Sequence, residues 1–218
     1  MKNAALRLLA GIALLPVSWG IARGLLDLVY VLPANGEGTS GLMALVGGYF
    51  AWLAVCALLP APVRAYVFAH ELTHALWGLL WGARPRNLRV TKRGGSVTLS
   101  HTNCLILLAP YFFPLYTMLL LTGQSLAGIF VDTSRHAAFW LAALGFTWGF
   151  HFTFTLRGLL QRQSDIVACG RVFSYALILS LNLLGIGLWL AWSTNATIEM
   201  FLLAIIRRST ETIQCFVP

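Results

Sequence analysis

Residues 63–82 read VRAYVFAHELTHALWGLLWG, twenty positions that are apolar around the whole helix circumference except for Arg64 and the group His70-Glu71-Leu72-Thr73-His74. A helix of this length spans about 30 Å, the thickness of a bilayer's hydrocarbon core. Blocks of the same kind lie at 4–22, 41–60, 104–122, 136–156 and 172–192. The 218-residue chain is 58% hydrophobic and only 10% charged, whereas soluble domains carry about 25% charge. A soluble enzyme is therefore excluded. A transmembrane β-barrel is excluded too, because its strands alternate apolar and polar residues over about 10 positions. The sequence predicts an all-α integral membrane protein, a polytopic bundle of about six transmembrane helices. Residues 1–218 read as one membrane domain, with N-terminal spans over 4–60, a core over about 63–192 and a tail over 193–218. Leu25 to Leu32 either extends the first span or forms a short interfacial piece.

The formal net charge of +8 arises from 15 Lys and Arg against 7 acids, placed mostly between apolar blocks. This is the pattern of positive-inside topology, and it implies no nucleic acid partner. The four cysteines form no CxxC pair, so no cysteine-based metal site is expected. Between 84 and 103 lie Arg84, Arg86, Arg89, Lys92 and Arg93 without an acid, which assigns this loop to the cytoplasm. Within it, Leu88, Val90, Val97 and Leu99 flank Lys92-Arg93-Gly94-Gly95-Ser96, an alternation of period two around a glycine turn. A small β-hairpin is predicted there. With six full crossings and this loop inside, Arg157, Arg162 and Arg171 also fall inside, but Lys2 and Arg7 fall outside.

His70-Glu71-Leu72-Thr73-His74 is an HExxH motif. Residues four apart on a helix share a face, so the two imidazoles can grip one zinc ion, and Glu71, rotated by about 100°, stands beside the metal to activate water. Composition alone predicts about 0.002 occurrences of the motif in a chain of this make-up. The alternatives are a haem or pigment site, a proton path, or hydrogen bonds between helices. A catalytic zinc takes three protein ligands, so one more is required, and Asp165, His151 and His101 are the groups within reach.

A zinc motif inside a membrane helix, followed by a basic hairpin and an outward span, resembles the site-2 protease group of intramembrane metallopeptidases, family M50 and its compact M50B-like members, over about residues 63–175. The resemblance implies a hydrolase with Zn2+ held by His70, His74 and an aspartate, and with Glu71 as the catalytic base. Gln163-Ser164-Asp165-Ile166 matches the family's aspartate motif, though not in its LDG form, so Asp165 is the expected third ligand. The family's GPxxN stretch corresponds to Ala109-Pro110-Tyr111-Phe112-Phe113-Pro114, which keeps the proline and lacks the asparagine. His151 or Asn103 could then donate to the developing oxyanion, and His151 could equally serve as a hydrogen bond between helices. Pro110 and Pro114 are expected to break or bend their span. The hairpin edge could pair with an unwound substrate strand.

The expected function is an intramembrane zinc metalloendopeptidase acting on a transmembrane protein substrate. The alternative is a non-proteolytic M50-like subunit of a membrane complex. The expected setting is the lipid of a bacterial inner membrane, with the active site toward the cytoplasmic side.

Overall fold

A computed structural model describes residues 2–31, 36–193 and 197–214. The chain forms two compact units, one from residues 1–33 with 164–218 and the other from residues 34–163.

The first unit contains α1 (Lys2–Val31), α7 (Ser164–Cys169), α8 (Arg171–Ser193) and α9 (Ile198–Gln214). Small residues set its packing. Gly11 meets the backbone of Phe173 so closely that a Cβ there would lie 2.7 Å from the Phe173 nitrogen. Seven residues on, Ser18 Oγ lies 2.7 Å from Ser180 Oγ. Both sequence numbers rise together, so α1 and α8 run parallel. Along the other side of α1 the order reverses, with Gly20 against Ser209 and Gly24 against Ile205, so α9 runs antiparallel to it. The core of this unit is Ile21, Leu28, Ala191 and a fully buried Phe201, whose ring fills the notch left by Gly187. At the rim Arg208 grips Asp27 with two hydrogen bonds of 2.9 Å, Arg207 adds one of 3.3 Å to the same carboxylate, and Arg208 also reaches Glu211 at 3.2 Å.

The second unit contains α2 (Gly36–Leu58), α3 (Val63–Leu80), the strands β1 (Pro85–Thr91) and β2 (Gly94–Leu99), α4 (Cys104–Phe112), α5 (Leu115–Phe130), a 3-10 turn over Thr133–His136, and α6 (Ala137–Leu160). Gly48 lies against Ala142, Gly149 against Trp52, and Arg157 Nη2 lies 3.1 Å from Cys56 Sγ. These contacts also advance together, so α2 and α6 run parallel. The indole of Trp52 is wedged among Phe146, Phe150 and Phe154 and donates to Thr153 Oγ1 at 2.9 Å.

The expected hairpin is present after α3. β1 and β2 pair antiparallel from Pro85↔Leu99 to Thr91↔Gly94, with an irregularity between Arg86 and Arg89 where Asn87 adopts φ 53°. The turn is tighter than the sequence suggests, because Gly94 and Gly95 already belong to β2 and only Lys92 and Arg93 stand between the strands.

Among the described residues, four helical segments are long and apolar enough to cross a membrane: Ala4–Tyr30, Ser40–Leu58, Thr133–Leu160 and Arg171–Ser193. The pair α4 and α5, bent by 71° across Phe113 and Pro114, makes a fifth. Their outward faces carry large apolar side chains such as Phe130, Leu58 and Leu160, each about four-fifths exposed, a surface compatible with a membrane protein and unlike a water-facing one. The count differs from the six expected because α3, with Arg64, His70, Glu71 and His74 in 18 residues, is too polar to qualify. The parallel course of α2 and α6 agrees, since two full crossings at 63–82 and 104–122 would have made them antiparallel. The first apolar helix continues past residue 22 to Val31, straight through Pro16.

Candidate metal centre

Three consecutive strips of α3 define the site. His70 and His74 form the middle strip, and their Nε2 atoms lie 3.2 Å apart. His74 is buried, and its Nδ1 lies 2.9 Å from the carbonyl oxygen of Ile106. A carbonyl only accepts, so Nδ1 of His74 donates to it, and Nε2 is the nitrogen turned toward His70. On His70, Nδ1 lies 3.4 Å from the Tyr66 hydroxyl, one turn earlier, while the Tyr111 ring packs edge to face against the imidazole at 5.3 Å. Both imidazoles are thus held at Nδ1 and converge at Nε2.

This geometry fits zinc. Two nitrogens each about 2.05 Å from a tetrahedral zinc ion lie about 3.3 Å apart. Partners at Nδ1 are also the usual means of orienting histidine ligands.

The second strip carries Val67, Glu71 and Gly78, and the hairpin lies on it. Gly95 of β2 approaches so closely that a Cβ there would stand 2.6 Å from both Glu71 Cγ and Val67 Cγ1. Only glycine permits this approach, and it leaves Glu71 only 9% exposed. Near the far end of α3, Leu99 covers Gly78 in the same way. The Ile106 carbonyl is placed by α4, whose first turn is fixed by Asn103: its side-chain oxygen accepts from the Ile106 amide at 2.9 Å. Asn103 therefore acts as a helix cap.

The third strip, Tyr66, Ala69, His70 and Thr73, borders a cleft closed by the broken segment Pro110 to Tyr116 and by Thr147, Phe150, His151, Phe154 and Thr155 of α6. His151 is buried and shares this cleft with His70. The span breaks as expected, with α4 ending at Phe112 and α5 starting after Pro114, while Pro110 lies within α4.

Asp165 belongs to the other unit, in the first turn of α7, where the Ser164 hydroxyl lies 3.5 Å from its carboxylate. The His101 ring contacts the Trp81 carbonyl at 3.1 Å, at the end of α3. Asp132 caps the 3-10 turn by accepting from the Ser134 hydroxyl and amide, and the hydroxyl bond holds its carboxyl below the ordinary value. Sequence reasoning passed over three contributors: Tyr66, Gly95 and the Ile106 carbonyl. Tyr66 is legible in retrospect, four residues before His70 on the same helical face.

The arrangement can hold a divalent cation between two oriented imidazoles, with a buried carboxylate on the adjoining strip. No family model, curated protein or solved structure matches the chain.

Proposed function

We propose that this protein is an integral membrane zinc endopeptidase of the site-2 protease type, cleaving a peptide bond of a membrane-embedded protein. The observation that carries the reading is the convergence of His70 and His74 at 3.2 Å with Nδ1 of His74 committed to a carbonyl. Asp165 is assigned as the third ligand on its match to the family's aspartate motif. A bound zinc ion supplies a Lewis acid that makes water nucleophilic near neutral pH. Glu71 takes the proton released as water attacks the substrate carbonyl and delivers it to the departing amine. His151, on the wall of the same cleft as His70, donates a hydrogen bond to the oxygen that becomes negative. The hairpin lends an edge to the unwound substrate strand.

The parallel helix pairs support a topology with one net crossing over α3 to α5. The chain then crosses outward in α1, inward in α2, outward over α3 to α5, inward in α6 and outward in α8. Lys2, Arg7, Arg64, Arg157, Arg162 and Arg171 all fall at the cytoplasmic side, which removes the conflict over Lys2 and Arg7 that six crossings create, while the hairpin's Arg84 to Arg93 follow α3 and no longer serve as the cytoplasmic marker. Glu71 sits about 12 Å along α3 from that side.

The test is metal content by mass spectrometry of the detergent-purified full chain. About one zinc per chain in the wild type, lost in His70→Ala and Asp165→Ala, is expected; a wild type without zinc refutes the reading. Zinc lost with His70→Ala alone moves the third ligand to His151 or to another group. The missing asparagine in Ala109 to Pro114 favours a second reading, an M50-like subunit that keeps the metal and does no hydrolysis. It predicts that Glu71→Gln changes nothing measurable in the complex it serves.

A further inference from the structure

The cleft bordered by His70 has a place in the order of features around α3. At 100° per residue, the cleft strip, the histidine pair and the hairpin strip succeed one another in that order over about 200°, a little more than half of the helix circumference. A peptide that lies across α3 with its scissile carbonyl at the histidines and one flank along the hairpin directs its other flank toward the cleft.

The chemistry of the walls says what enters. Tyr66, Phe113, Phe150 and Phe154 supply rings, and Pro114 adds an apolar edge. The hydroxyls among them are engaged on backbone carbonyls: Thr73 with Ala69 at 2.7 Å, Thr147 with Leu144 at 3.0 Å, Thr155 with Tyr111 at 3.5 Å and Tyr116 with Ala65 at 2.8 Å. The Tyr66 hydroxyl faces His70, and the two histidines of the wall, His70 and His151, are assigned to the metal and to the scissile oxygen, so a charged or amide side chain entering here meets few groups that can replace its water, whereas an aliphatic one gives up nothing. The rings are close-set, with Tyr66 and Phe150 centred 4.5 and 4.8 Å from Phe154, which disfavours a bulky side chain.

We propose that this cleft is the side-chain subsite for a residue flanking the scissile bond, on the side away from Glu71, and that it selects a short aliphatic residue; the proposal rests on the zinc peptidase reading. The test uses cobalt(II)-loaded full-chain protein and reads the visible spectrum during titration with acetohydroxamate, leucine hydroxamate, phenylalanine hydroxamate and aspartate hydroxamate. Leucine hydroxamate is expected to bind about tenfold tighter than acetohydroxamate, and aspartate hydroxamate to gain nothing. Ala69→Leu, which fills the cleft, should erase the leucine advantage without changing acetohydroxamate binding. Phe150→Ala, which widens it, should admit phenylalanine hydroxamate, and it decides the matter should Ala69→Leu not fold. An unchanged leucine advantage in a folded variant, or a preference for aspartate, overturns the subsite while leaving the metal centre standing. A wild type that gives no cobalt spectrum overturns the zinc reading and the subsite with it.

Discussion

The two units treat ionisable side chains in opposite ways. In the unit of α1 and α9, Asp27, Arg207, Arg208 and Glu211 close on one another, each carboxylate opposite a guanidinium. In the unit of α3, two side chains of the same kind are turned to face each other, Nε2 to Nε2 at 3.2 Å. Complementary charges fasten one helix to another and need no further component. Two imidazole nitrogens this close share a proton or a cation. Polar residues in an apolar chain are therefore informative through what they point at, more than through their presence.

The contrast can be broken at four places. The largest effect is expected from Glu71→Gln, which should lower hydrolysis of a membrane-embedded substrate about 10³-fold while zinc content stays at the wild-type level; parallel loss of zinc would make Glu71 structural. Next, Phe201→Ala empties the notch at Gly187 and should destabilise the α1, α8 and α9 unit by about 3 kcal/mol, measured as resistance to unfolding in mixed micelles. Removing the hydroxyl behind His70 through Tyr66→Phe should weaken zinc binding about tenfold in competition with a chromogenic chelator, and stability should hardly move. The smallest effect belongs to Asp27→Asn, about 1 kcal/mol of stability, because the ion pair is partly solvated; a double-mutant cycle with Arg208→Ala isolates it. A coupling energy near zero in that cycle would show that the pair does not fasten α1 to α9.

Much of this was legible in the residues. The HExxH helix, the hairpin after it and the proline break near 113 follow from spacing, glycine placement and the missing donors of proline. Three features were not. That α3 is less apolar than the other long helices depends on the combined polarity of Arg64, His70, Glu71 and His74, which its leucines and valines offset only in part. The parallel course of α2 and α6 is a tertiary fact, set by Gly48 and Gly149 allowing close approach. The contact of Gly95 with Glu71 joins positions 24 residues apart through a hairpin whose docking face no local pattern specifies. Asp27 lay within a stretch left between two assignments, and its partners lie beyond residue 200.

That last distance bears on how the protein is made. Asp27 is separated from Arg208 by 181 residues and Ser18 from Ser180 by 162. At about 5–20 residues per second, roughly 10 to 35 seconds pass between synthesis of the carboxylate and synthesis of its guanidinium. During that interval the Asp27 carboxylate of α1 lacks its guanidinium partners, whereas Ser18 already donates to the Leu14 carbonyl of its own helix. The aspartate that locks the finished unit is thus also the residue that marks α1 as waiting.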